Sequence, residues 1–182
     1  MLETWSEGPG EVVVAVPASR IRPQVVEFFG GGDPGDGTCL KRGRLEVRLL
    51  PFLSQSVYDE LLWACDWNFV RGEDSFVRAQ WARRPFVWHI YPQAEKAHLA
   101  KLGAFLEAYC LGLDERLSGP LRSLWAVWNS PDPAPGTLGP LWKSLQEHRP
   151  ALQRHARDWA GTLAKPGELA ANLAQYCEER LK

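Results

Sequence analysis

Val12-Val13-Val14-Ala15-Val16 is an uninterrupted apolar run of mostly β-branched residues bounded by Gly10 and Pro17. That pattern predicts a strand buried on both faces. Ahead of it, Leu2 and Trp5 stand three apart and Gly8-Pro9 ends the run, so residues 1–8 read as the closing turns of an amphipathic helix. A domain seldom opens in the last turns of a helix, and the start therefore reads as truncated. Residues 22–29 predict a helix with Pro23 in its first turn and Gly30-Gly31-Gly32 as its stop. Residues 33–37 are loop by composition.

Residues 45–52 predict the next strand, interrupted at Pro51. Tyr58, Leu61, Leu62 and Cys65 fall at i, i+3, i+4 and i+7, which predicts a helix over residues 54–65. A strand over 66–71, a turn at Gly72, a helix over 74–81 and a strand over 86–91 follow, closed by Pro92. Strands alternating with helices predict an α/β fold, a parallel sheet with crossover helices.

Beyond Gln93 the pattern turns helical. Leu99, Leu102, Leu106 and Tyr109 form one face; Leu121, Leu124, Trp125 and Trp128 a second. Residues 130–139 form a Pro/Gly-rich loop. Leu152, Ala156, Trp159 and Leu163 make a third face, and Leu169, Leu173 and Cys177 a fourth.

Composition narrows the class. With 45% hydrophobic and 24% charged residues, the 182-residue chain is globular and large enough for a proper core. A net charge of -1 argues against general attraction to nucleic acid or anionic membrane. No run approaches the ~18 apolar residues of a membrane span, and no basic segment followed by an apolar one opens the chain. Cys39, Cys65, Cys110 and Cys177 lack metal-ligand spacing and read as small buried hydrophobes in a reducing cytosol. Nine Trp is high for this length, and most fall at core spacing.

Ligands of open parallel sheets bind at the carboxyl ends of the strands. There, Arg71-Gly72-Glu73-Asp74-Ser75 joins a strand to a helix. Gly72 permits close backbone approach, the helix start offers free N–H groups to a phosphate, Arg71 adds charge and Ser75 a hydroxyl. Two carboxylates would repel a diphosphate, so Glu73 and Asp74 suit sugar hydroxyls instead. Spacing alone equally fits Asp74 or Ser75 as a plain helix cap. Phe52 and Gln55 occupy a similar turn, where a base could stack and pair, or where a helix simply begins. His89 is either an acid or base or a hydrogen-bonded structural residue. His98, His148 and His155 lack ligand spacing, so no metal site is expected.

The run Leu50-Pro51-Phe52, residues 58–66 (Tyr-Asp-Glu-Leu-Leu-Trp-Ala-Cys-Asp), residues 68–82 from Asn68 through Arg71-Gly72-Glu73-Asp74-Ser75 to Ala82, and residues 84–93 (Arg-Pro-Phe-Val-Trp-His-Ile-Tyr-Pro-Gln) resemble the C-terminal domain of the elongation factor P arginine rhamnosyltransferases. Weaker similarity reaches Leu169–Leu173. The resemblance implies a Rossmann-like parallel sheet with flanking helices, the C-terminal half of a GT-B glycosyltransferase, with added C-terminal helices. Residues 1–182 would then be a donor-binding domain without the acceptor domain that precedes it in the family.

The family inverts the anomeric centre, moving L-rhamnose from dTDP-β-L-rhamnose to an arginine of elongation factor P, without a metal. By similarity, Phe52 and Gln55 hold the thymine end, Arg71, Asp74 and Ser75 contact the diphosphate and ribose across the Gly72 turn, and Glu73 is the essential acid. Arg83 stands where the family commonly has glycine. The competing reading is a degenerate, non-catalytic half acting as a protein-interaction module. A dinucleotide enzyme is disfavoured, because no G-x-G-x-x-G follows a strand.

Overall fold

The computed structural model describes residues 1–93, 97–134 and 136–180, so Pro135 of the expected 130–139 loop lies outside the described residues. The chain opens with α1 (Leu2–Glu7), then β1 (Val12–Val16), α2 (Arg22–Phe28), β2 (Cys39–Arg42), β3 (Leu45–Leu49), α3 (Gln55–Ala64), β4 (Asn68–Arg71), α4 (Glu73–Trp81) and β5 (Phe86–His89). Helices follow: α5 (Ala97–Tyr109), α6 (Glu115–Trp128), α7 (Leu138–Glu147), α8 (Arg149–Ala164) and α9 (Leu169–Arg180). Among the described residues, no helix is long and apolar enough to cross a membrane.

The strands form two small sheets where one parallel sheet was expected. β1 runs parallel to β3, with β2 antiparallel on the far side of β3; β4 and β5 form a separate parallel pair. β2 arises from a local device, the two-residue Gly43-Arg44 loop of a hairpin. Gly43 has φ 56, and a Cβ there would collide with the Ser6 carbonyl oxygen, which accepts the Arg44 amide at 2.9 Å.

The three-stranded sheet buries one face only. Leu45, Val47 and Leu49 are buried in register with Val12, Val14 and Val16, under Trp5, Val25 and Val26. On the other face, Glu46 pairs with Lys41 and Arg48 at 2.8 and 2.7 Å. Val13 shares that outer face and is 57% exposed, so β1 is not the doubly buried strand its composition predicts.

A larger core surrounds β4 and β5. Phe86 and Trp125 are fully buried, and the Trp125 indole donates to the Phe86 carbonyl at 3.1 Å. The expected faces of α5, α6 and α8 supply Leu102, Leu106, Tyr109, Leu121, Leu124, Leu152 and Ala156 to it. Phe69 and Trp142 touch the edge of the other core, and Trp5 packs against both at ring separations of 5.5 and 5.6 Å.

Two expectations fail for lack of a covering element, that for α9 and that for the cysteines, whereas most tryptophans do join the cores. The Leu169, Leu173 and Cys177 face of α9 stays exposed, since nothing in the described residues packs on it. Of the four cysteines, all free, only Cys110 is buried; Cys39 sits on an edge strand and Cys177 on α9. Of the tryptophans, Trp63 and Trp81 face outward. Arg83 turns the chain between α4 and β5 with φ 58, a left-handed conformation that costs a side-chain-bearing residue about 1 kcal/mol relative to glycine.

Asn129, just past α6, secures the carboxyl end of β5. Its Nδ2 donates to the carbonyls of Trp88 and Trp125 at 2.8 and 2.9 Å, and its Oδ1 accepts the Ile90 amide at 2.9 Å. Asn129→Ala leaves these groups unpaired and is expected to lower stability by about 1–3 kcal/mol. Urea denaturation measures it; an unchanged midpoint would show that the bonds contribute nothing net.

Candidate functional site

β4 ends at Arg71, and α4 begins at Glu73 with Gly72 between them as the N-cap. Gly72 has φ 82 and ψ 172, a region that essentially only glycine enters. A Cβ at this position would lie 3.1 Å from the Tyr91 ring. Both the backbone angle and the close approach therefore require glycine. The Gly72 carbonyl accepts the buried Trp88 indole N–H at 3.0 Å, which ties the turn to the neighbouring strand.

No side chain caps α4. The alternative in which Asp74 or Ser75 serves as a plain cap does not describe this helix. Its first N–H groups, which no helix can satisfy internally, are left to an outside acceptor. Beside them the Arg71 guanidinium stands 4.9 Å from the centroid of the exposed Tyr91 ring. Sequence reasoning did not single out Tyr91; tertiary packing brings its ring over the turn, against Arg71 and Gly72.

Glu73 is exposed at the first helical position and makes no ion pair among the described residues. Asp74 is differently placed. Its Oδ2 accepts from Arg78 Nε at 2.8 Å, and Arg78 Nη1 reaches Asp59 of α3 at 2.8 and 3.0 Å. Asp59 and Arg78 had no part in the sequence reading, because their pairing spans two helices. Ser75 faces Tyr58 of α3, whose phenol burial pushes above its ordinary pKa while the Ser75 hydroxyl pulls it back.

These contacts set the amino-terminal halves of α3 and α4 side by side. Phe52 and Gln55 lie at the start of α3, one turn ahead of Tyr58 and Asp59. Both are exposed, Phe52 at 84%, so its ring is free of the core. The Ser54 hydroxyl does not cap α3 and lies 3.2 Å from that of Ser56. The structure thus joins α3 to α4 through Tyr58–Ser75 and Asp59–Arg78, and leaves Phe52 and Gln55 exposed at the turn that leads into α3.

His89 pairs in register with Arg71 across the β4–β5 ladder. The expected structural hydrogen bond is absent, since its buried Nδ1 has no partner. Burial, and then the Arg71 charge, holds its pKa below the ordinary 6.5. No three His, Cys, Asp or Glu side chains converge as metal ligands among the described residues.

The arrangement gathers groups whose chemistry suits an anion: the Arg71 guanidinium over the Tyr91 ring, uncapped backbone donors and the Ser75 hydroxyl. Comparison with known proteins gives it context. The profile of the family described as "Elongation-Factor P (EF-P) rhamnosyltransferase EarP" matches residues 1–178. A protein-arginine rhamnosyltransferase of Pseudomonas aeruginosa is 46% identical over 175 residues, which span 96% of this chain and 46% of the relative. One from Neisseria meningitidis is 37% identical, over 96% of this chain and 48% of the relative. A solved structure described as the structural basis for EarP-mediated arginine glycosylation of translation elongation factor EF-P superposes with a TM-score of 0.85 at 38% identity. That match covers 98% of this chain and 55% of the other. The chain therefore spans about half the length of the curated relatives it matches.

Gly72→Ala is expected to destabilise the fold by about 1–3 kcal/mol and to displace Tyr91; a denaturation midpoint equal to the parent's would refute the requirement. His89 also predicts a pH dependence. Its depressed folded pKa means the unfolded chain takes up the proton first as pH falls, so stability present above about pH 6.5 is lost below it. His155, also held down by burial, adds in the same direction. Denaturation at about pH 7.5 and about pH 5.5 should show a smaller loss for His89→Gln than for the parent, and equal losses would exclude His89 as a contributor.

Proposed function

The chain belongs to the EF-P rhamnosyltransferase family EarP, and we propose that it forms the donor-binding, C-terminal half of such an enzyme, a Rossmann-like half of a GT-B glycosyltransferase. The donor in this reading is dTDP-β-L-rhamnose. The reaction is an inverting transfer of the sugar to an arginine guanidine of elongation factor P, in the cytosol, with the acceptor held by an amino-terminal half.

Several features of the geometry support these roles. Departure of the thymidine diphosphate concentrates negative charge on its terminal phosphate, and Arg71 with the uncapped amides of α4 faces that charge with donors already in place. Gly72 lets the backbone come close, the Ser75 hydroxyl adds a donor, and Tyr91 flanks the guanidinium. The exposed Phe52 ring offers a stacking face to thymine and the Gln55 amide a pairing edge. Glu73, which forms no ion pair among the described residues, is the acid assigned to the reacting end. Asp74 reaches the ribose while still held by Arg78. With the charge met by protein donors, no metal is invoked.

The observation that carries this reading is the glycine-only turn at the head of an uncapped helix, with Arg71 beside it. Calorimetric titration of the chain with thymidine diphosphate is expected to show saturable binding, weakened by Arg71→Ala and Gln55→Ala. A folded chain with no heat of binding would remove the donor assignment. In an enzyme carrying both halves, Glu73→Gln should lower kcat far more than donor affinity; equal losses would reassign Glu73 to ground-state binding.

A second reading, a non-catalytic interaction module, is favoured by the uncovered apolar residues Leu169, Leu173 and Tyr176 of α9. Capture of elongation factor P by a chain that does not bind the nucleotide would select it.

A further inference from the structure

The other end of the strands carries a second arrangement, distinct from the Gly72 turn. Trp63 lies near the end of α3, Trp81 at the end of α4, and Arg83-Arg84 lead into β5. With Ala82 and Arg157 of α8 they line an open groove of about 490 Å³. The two indoles are 54% and 48% exposed, although large aromatic side chains gain most from burial. Arg84 is accounted for by the fold, since its Nε donates to the Trp63 carbonyl at 2.9 Å and satisfies one of the last carbonyls of α3.

Arg83 and Arg157 are not accounted for in that way. Neither forms an ion pair or a side-chain hydrogen bond among the described residues, and no carboxylate lines the groove. Arg83 also stands on left-handed backbone, where glycine would be unstrained. A long cationic side chain at a strained position, with no partner among the described residues, suggests a use for the side chain itself.

We propose that this groove docks an acidic, extended peptide segment of a partner protein, with its carboxylates on Arg83 and Arg157 and an apolar side chain against Trp63 and Trp81. Charge complementarity selects the acidic partner, and guanidinium forks match carboxylates in geometry. Trp and Arg are the residue types that dominate protein interfaces. Nucleic acid fits less well, because three guanidinia on a chain of net charge -1 give no continuous track for a phosphate backbone. β5 runs from the groove toward Tyr91, so a segment held here leaves the Gly72 turn open.

The test is fluorescence anisotropy on the 182-residue chain with a labelled peptide alternating Glu with Leu and Phe, and a labelled oligothymidylate for comparison. The peptide is expected to bind saturably and more tightly than the oligonucleotide, weakened about tenfold or more by Arg83→Gly, by Arg157→Ala and by Trp63→Ser with Trp81→Ser. Arg83→Gly relieves the backbone, so its thermal midpoint should equal or exceed the parent's, which separates lost binding from lost folding. Absence of saturable peptide binding, peptide binding unaltered by Arg83→Gly and Arg157→Ala, or tighter binding of the oligothymidylate would each overturn the proposal.

Discussion

The carbonyl of Gly72 accepts the Trp88 indole at 3.0 Å, and the geometry of the turn between β4 and α4 follows from that bond. It fixes the peptide plane between β4 and α4 from within the core, where Trp88 is buried and stacked on Phe76 at 3.9 Å between ring centroids. The same carbonyl accepts the Phe76 amide at 3.3 Å, and the amides ahead of it at the head of α4 have no internal acceptor. The chain emerging from β5 brings Tyr91 back over the same glycine, so a single buried donor sets the relation of Arg71, the helix start and the aromatic ring.

A second constraint joins this turn to the neighbouring one. Arg78 bridges Asp59 and Asp74. In its absence two carboxylates would face each other across the α3–α4 boundary; in its presence they bring the two helix starts together. Positive charge is consumed structurally at that position, which leaves Arg71 as the guanidinium beside the uncapped amides. At the far end of the strands the balance is reversed, since Arg83 and Arg157 form no ion pair among the described residues.

Much of this architecture could be read from residue spacing, and the exceptions share a cause. The apolar faces of α5, α6 and α8 and the strand–turn–helix at residues 68–81 are encoded locally, by periodicity and by Gly72, and the structure contains them. The strand at Cys39–Arg42 escaped because it is short, basic and largely exposed, with its signal confined to the Gly43-Arg44 loop. Helix α7 escaped because its start lies in the Pro/Gly-rich stretch. The exposure of Val13 and of α9 depends on which elements cover them, and no period records that. Within the site, Arg71, Gly72 and Ser75 stood out by chemistry, whereas Tyr91 and the Asp59–Arg78 pair are brought in by tertiary packing. Asp74, legible as a free carboxylate, is engaged for the same reason.

Phe69, Trp5 and Trp142 form the seam between the two cores, with Phe69 on β4, Trp5 on α1 and Trp142 on α7. Because the sheets share no ladder hydrogen bonds, mechanical continuity between them runs through ring edges and faces, contacts that are individually weak and tolerant of small rotations. The join between the two sheets is thus made of aromatic edges and faces, so a small rotation of one ring against another there would break no interstrand hydrogen bond.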